Sequence, residues 1–259
     1  MWKYTIATAL AGILGISSAG AQELNVASYT GNVPFEFEDA SGTLTGFEVD
    51  LVKLVAKQMQ KTPNFTPMPF NSLFNAVQSG RAEVAIGTIA ATKKRLESVA
   101  FTQPYLDSNQ CLITSKGSPV KSDADLSGLT VAVITGSTGE IWATANQQEK
   151  GISDIKRFDS TNEAMLDIAT GRIMAYIYDC PSAAYYIKDK PNYAIVATIP
   201  TNEQFALMLP KGSPILDEVN EALTELKNNG ELAALYEKWL GLAAEPTSST
   251  VVVQPLPKL

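Results

Sequence analysis

The chain has 259 residues, 45% of them hydrophobic and 18% charged, with a mean hydropathy of +0.01; such a composition fills one large core or two modest ones and excludes a disordered or collagen-like chain. It contains no histidine, which excludes Ser-His-Asp and Cys-His catalysis and any histidine-ligated metal. Asp and Glu outnumber Lys and Arg by 27 to 20, so no basic field exists to condense on phosphates, and a nucleic-acid partner is not expected.

Lys3, the apolar run Tyr4 to Ile16 and the Ala19-Gly20-Ala21 pattern read as a secretory signal over residues 1–21, cleaved so that the mature chain begins at Gln22. The apolar run is shorter than the ~20 residues of a bilayer span. No lipobox cysteine follows it. In an oxidising compartment Cys111 and Cys180 either pair or pack as small buried thiols, and sequence alone leaves both open.

Leu24 to Ser28 is predicted as a strand, followed by turns at Thr30-Gly31-Asn32 and Asp39 to Gly42. Apolar residues from Phe47 to Met59 recur at three and four, the mark of an amphipathic helix. A strand over Asn64 to Met68 and a helix over Ser72 to Ser79, stopped by Gly80, come next. Arg81 to Thr88 reads as a buried parallel strand. Further on, Leu129 to Ile134 is a strand entering the small-residue turn Thr135 to Glu140, and Ser160-Thr161-Asn162-Glu163 reads as a capping box that opens a helix to Thr170. Gly171 to Asp179 is a strand, as is Pro200 to Leu209. Helices over Ile215 to Asn229 and Glu231 to Leu240 close the ordered chain, and 243–259 is read as a mobile tail.

One unit occurs twice. Ser79-Gly80-Arg81 matches Thr170-Gly171-Arg172, and the strand ends Thr88 and Asp179 coincide. Two helix-Gly-Arg-strand units predict two lobes of similar α/β construction. Ligands of parallel sheets sit at the carboxyl ends of strands, which brings Tyr29 to Asn32, Thr88 to Ala90, Thr135 to Gly139 and Asp179 to one crevice if the lobes oppose each other. Amides of a Gly/Ser/Thr turn at a helix start suit a carboxylate. By itself that turn is more often a plain strand-helix connection, Lys93-Lys94-Arg95 a solvated basic face, and Phe70, Tyr29 and Trp142 core or rim aromatics.

Pro34-Phe35-Glu36-Phe37, Gly46-Phe47-Glu48-Val49-Asp50-Leu51, Ala76-Val77-Gln78-Ser79-Gly80, Arg95 followed by Phe101-Thr102-Gln103-Pro104-Tyr105, Asp179, and Tyr236-Glu237-Lys238-Trp239-Leu240-Gly241 stand in unbroken order. In these segments the chain resembles the periplasmic amino-acid-binding proteins of ABC importers, solute-binding family 3. The resemblance implies an α/β, two-lobed type II periplasmic-binding fold with lobe 1 over 22–104 and 206–242, lobe 2 over 110–200, and two hinge-crossing strands near 105–109 and 201–205. It implies a periplasmic monomer that needs no cofactor or metal, closes on a small amino-acid ligand and docks transiently on an ABC transporter membrane permease. The Arg matching Arg95 grips the ligand carboxylate as a planar fork, helped by amides of Ser137 and Thr138. The Asp matching Asp179 takes the ammonium group, and the aromatic matching Phe70 lines the pocket.

Tyr29 stands where the family often has Asp, Asn32 where it often has an aromatic, and Ala90 where it often has Ser or Thr. Tyr29 thereby removes a carboxylate that would meet a cationic side chain, which favours a neutral or polar amino acid or a derivative. Glu140 and Trp142 are placed to offer a new contact. A second class resembles the same fold: secreted cyclohexadienyl dehydratases acting on prephenate, which need a general acid, for which Glu140 or Asp179 would serve.

Overall fold

The computed structural model describes residues 22–259, so the expected signal peptide lies outside the described residues. The chain runs β1 (Gln22–Ser28), β2 (Phe37–Glu38), β3 (Leu44–Thr45), α1 (Phe47–Gln58), β4 (Lys61–Pro67), α2 (Phe70–Gln78), β5 (Val84–Ile86), α3 (Lys93–Leu96) and β6 (Val99–Phe101). Strand β7 (Leu106–Ser115) then leads to β8 (Thr130–Ile134), α4 (Thr138–Lys150), β9 (Asp154–Phe158), α5 (Thr161–Ala169), β10 (Ala175–Asp179), α6 (Cys180–Ile187) and β11 (Tyr193–Phe205). Strand β12 (Met208–Pro210) and helices α7 (Leu216–Asn228) and α8 (Glu231–Leu240) return to the first half.

Two five-stranded sheets result, ordered β4-β1-β5-β12-β6 and β11-β7-β10-β8-β9. In the first, β1 lies parallel between β4 and β5, and β12 is antiparallel to β5 and β6. In the second, β8 is parallel to β9 and β10, while β7 is antiparallel to β10 and β11. Strands β7 and β11 carry the chain between the sheets. Their first-sheet ends, Leu106 and Phe205, sit in a core with Leu24, Phe47 and Leu223, whereas Leu112 and Ile199 belong to a core with Val131 and Ile177. A third apolar cluster joins Tyr29 and Phe70 of the first half to Ile134 and Tyr178 of the second.

The repeated unit is visible at atomic level. The N–H groups of Arg81 and Ala82 both donate to Ala76 O, and those of Arg172 and Ile173 both donate to Asp167 O. Gly80 and Gly171 each take a positive φ, 74° and 70°, the left-handed step that ends a helix and that glycine adopts without a Cβ penalty. Helix α2 starts at Phe70, two residues earlier than the pattern predicts, because Pro69 ends the preceding extended segment and takes the cap position. Strand β5 is shorter than predicted, since Arg81 to Glu83 are spent on the connecting turn. Ser160 caps α5 by accepting from the Glu163 N–H, whereas the reciprocal capping box forms at Ser122 and Asp125.

The crossing strands are not uniform. Their register shifts between Ile199 and Glu203, and Asn202 within the shift has φ 49°, a left-handed conformation that Asn tolerates better than most residues.

Residues 243–259, expected to be a mobile tail, pack back onto these strands. Ser249 and Thr250 are buried. Ser249 donates from N–H and Oγ to the Asp107 carboxylate at 2.7 and 2.5 Å, and Thr250 Oγ1 donates to Tyr105 O at 3.0 Å. Gln204 of β11 donates to Ser249 and Gln254, and the buried Lys227 ammonium donates to Val252 O. A segment whose Ser, Thr and Pro content reads as disorder is thus ordered, because its polar groups are taken up by hydrogen bonds to the crossing strands. Ending the chain at Leu242 removes these six hydrogen bonds and is expected to cost roughly 3–9 kcal/mol, at about 0.5–1.5 kcal/mol net for each. Thermal unfolding should fall by at least several degrees, and an unchanged midpoint would show that the segment contributes nothing.

Cys111 of β7 and Cys180 at the start of α6 are disulfide-bonded, which settles the alternative the sequence leaves open. The bond ties the residue after Asp179 to the strand that carries Gln110. Replacing both cysteines with alanine is expected to cost roughly 2–5 kcal/mol, as removal of a bridge closing a long loop does. The midpoint of denaturant unfolding measures it, and no shift would contradict the expectation.

Candidate functional site

The site lies where the carboxyl ends of β1, β5, β8 and β10 face one another, and its walls include Tyr29, Phe70, Thr88, Arg95, Ser137, Thr138 and Asp179. Thr88 and Asp179, the matching ends of the repeated unit, meet directly: Thr88 Oγ1 donates to Asp179 Oδ2 at 3.0 Å. Thr88 has φ 49°, rare for a β-branched residue and the kind of backbone strain that concentrates at functional sites. That turn aims its N–H at Glu48 Oε2, 2.7 Å away, and its hydroxyl at the cleft.

Arg95 belongs to a single helical turn capped by Thr92, which accepts from the Arg95 N–H. Lys94 of the same turn is paired with Glu97 in solvent, whereas Arg95 is buried with its guanidinium 5.5 Å from the Phe70 ring centre and 5.2 Å from that of Phe74. The basic run is therefore solvated on one side only. Arg95 Nη1 donates to Ala90 O at 2.8 Å, and Nη2 donates across the cleft to Gly136 O at 3.1 Å. Burial lowers its pKa to about 10, opposed by the charges of Glu203 and Asp179, so it stays a cation at neutral pH.

Asp179 Oδ1 accepts from Gln110 Nε2 at 2.6 Å. The same amide nitrogen lies 3.0 Å from Glu203 Oε2, and Thr138 Oγ1 also donates to Glu203 at 2.9 Å. Burial, then the neighbouring Glu203 charge, push the Asp179 carboxyl up to about 7 against the lowering effect of Gln110, Thr88 and Arg95. Gln110 and Glu203 come from β7 and β11. Neither is singled out by the sequence: a polar residue on a strand has no spacing signature, and these two meet only because the strands pair.

Ser137 and Thr138 open α4, but they differ in what they offer. The Ser137 N–H donates to Ile134 O and its hydroxyl accepts from the Glu140 N–H, so Ser137 shapes the turn. Thr138 is the first helical residue, where an N–H has no carbonyl one turn back to bond. Asn32 and Ala90 do not line the cleft. Asn32 is a buried link between the halves, donating to Glu36 and Thr88 and accepting from the Tyr178 hydroxyl. Ala90 contributes its carbonyl to Arg95. Glu140 accepts from the Gly136 N–H and Arg157 and Trp142 packs on the second lobe's core, so neither supplies the new cleft contact considered for them.

An arginine from one lobe facing a carboxylate and a helix start from the other defines a two-lobed binding protein of the type II periplasmic kind. The profile of the bacterial extracellular solute-binding proteins, family 3, matches residues 24–242, and the chain belongs to that family. It is 29% identical over 259 residues to a probable histidine-binding protein of Neisseria gonorrhoeae, covering 92% of this chain and 95% of the relative. Among solved structures it resembles an ancestral arginine-binding protein bound to arginine, with TM-score 0.80, 34% identity, and 84% and 97% of the two chains covered. It also resembles an ancestral arginine-binding protein bound to glutamine, with TM-score 0.81, 33% identity, and 86% and 100% covered. These relatives are named for binding, and the dehydratase alternative gains no support from them. No helix among the described residues is long and apolar enough to cross a membrane.

Proposed function

We propose that this protein captures a free α-amino acid between its lobes in the periplasm and, as a monomer, delivers it to the membrane permease of an ABC importer without altering it chemically. The observation that carries the reading is the opposition of Arg95 and Asp179 across the cleft, one cation and one carboxylate at separate ends of a small space. A zwitterion satisfies both. Its carboxylate replaces Gly136 O on the Arg95 fork and meets the Thr138 N–H; its ammonium replaces Thr88 on Asp179. A ligand touching both lobes binds the closed arrangement better than an open one and so drives closure. In a thermal-shift screen of the mature chain against amino acids, at least one is expected to raise the melting temperature, because a ligand that binds only the folded state stabilises it. No shift at millimolar concentration would overturn the reading.

A further inference from the structure

Closure of the lobes is the motion on which the proposed function, and with it this inference, rests. Among the described residues three hydrogen bonds run directly from one lobe to the other: Arg95 Nη2 to Gly136 O, Thr88 Oγ1 to Asp179, and the Tyr178 hydroxyl to Asn32 Oδ1. A zwitterion that takes over Arg95 and Asp179 displaces the first two. The third involves neither of those groups, so it belongs to the closed arrangement whichever molecule fills the cleft.

Each partner of that bond is fixed from its own side. Asn32 is buried in a turn that folds back on itself, the N–H groups of Phe35 and Glu36 both donating to Asn32 O. Its side-chain nitrogen is spent within its own lobe, donating to Glu36 Oε1 at 2.8 Å and to Thr88 Oγ1 at 3.2 Å, which leaves the amide oxygen for the opposite lobe. Tyr178 is buried as well. Its ring stacks on Tyr176 with centres 5.0 Å apart and planes 17° from parallel, and its backbone pairs in β10 with Cys111 of the disulfide. Burial holds its hydroxyl well above the ordinary tyrosine range, so it keeps its proton and donates. Donor and acceptor are thus placed before the lobes meet, which reduces the ordering cost of the bond, and parting the lobes must break it.

We infer that Tyr178 and Asn32 form a latch that slows opening of the cleft without gripping the charged ends of the ligand. Both native cysteines are in the disulfide, so cysteines introduced at the exposed Lys57 and Glu149, one on each lobe, take a donor and an acceptor dye. Single-molecule energy transfer on the mature chain then reads the opening rate, alone and in an equimolar mixture of the common protein amino acids. Tyr178→Phe, which keeps the ring, is expected to open about two- to tenfold faster than the parent, the range one hydrogen bond supplies. Tyr176→Phe should open at the parent rate, because that hydroxyl lies beside Thr161 within its own lobe. In an Asn32→Ala background Tyr178→Phe should add nothing, its partner being already gone; if the Asn32 variant does not fold, the two tyrosine variants decide. Opening of Tyr178→Phe no faster than the parent, equal acceleration by Tyr176→Phe, or full acceleration retained beside Asn32→Ala would overturn the latch. A mixture that changes neither the opening rate nor the closed population would overturn the amino-acid reading, while the rates measured without it still decide the latch.

Discussion

Arg95→Ala is expected to weaken ligand binding by about 2–5 kcal/mol, the range found when one member of a buried charge pair is truncated; at 1.4 kcal/mol per decade this is roughly thirtyfold to several thousandfold in Kd. The guanidinium is buried between Phe70 and Phe74; Nη1 donates to Ala90 O within its own lobe, and Nη2 donates across the cleft to Gly136 O, the contact a ligand carboxylate would displace. Lysine should not rescue the loss, because a single ammonium cannot form the planar fork. Titration calorimetry on the folded variant measures the effect, and an unchanged Kd would remove Arg95 from the site.

The second large effect is on pH. In the ligand-free protein Asp179 holds its proton up to about pH 7 instead of the ordinary 3.8. For an acid whose folded pKa is raised, the associated stability is fully present below the ordinary value and is lost as pH rises through about 7. An ammonium ligand needs the ionised carboxylate, so its binding expels that proton below pH 7. Affinity is therefore expected to fall by up to about tenfold per pH unit from 7 towards 4, while the ligand-free protein grows more stable over the same window as far as Asp179 determines it. Binding heats measured in buffers of different ionisation enthalpy should reveal the released proton at pH 5. Asp179→Asn should weaken binding and flatten the profile; a steep profile retained in that variant would assign the titration to another group.

Much of this arrangement is legible in the sequence. The repeat that aligns Thr88 with Asp179 is carried by a helix, a glycine and an arginine in fixed order, and the two matched strand ends do meet across the cleft. The periodicity of α1 and the small-residue start of α4 likewise report local preferences that the packing leaves unchanged. What was not legible depends on contacts between distant segments. Gln110 and Glu203 are brought together by strand pairing over 93 positions. The inward turn of Arg95, beside an outward Lys94, depends on where Phe70 and Phe74 lie. The ordering of residues 243–259 depends on Asp107 and Gln204, acceptor and donor groups that local composition does not reveal. Ser137 lines the cleft, but its N–H and hydroxyl are committed to the turn itself, which only the local geometry discloses.

The proposed ligand presents its carboxylate and its ammonium to opposite sides of the cleft. The most direct measurement titrates the mature protein with the best-binding amino acid, with the acid that lacks its amino group, and with the amine that lacks its carboxylate. The zwitterion is expected to bind at one site per chain, with the acid and the amine each weaker by at least a hundredfold. Binding of either truncated compound within tenfold of the amino acid would contradict the account.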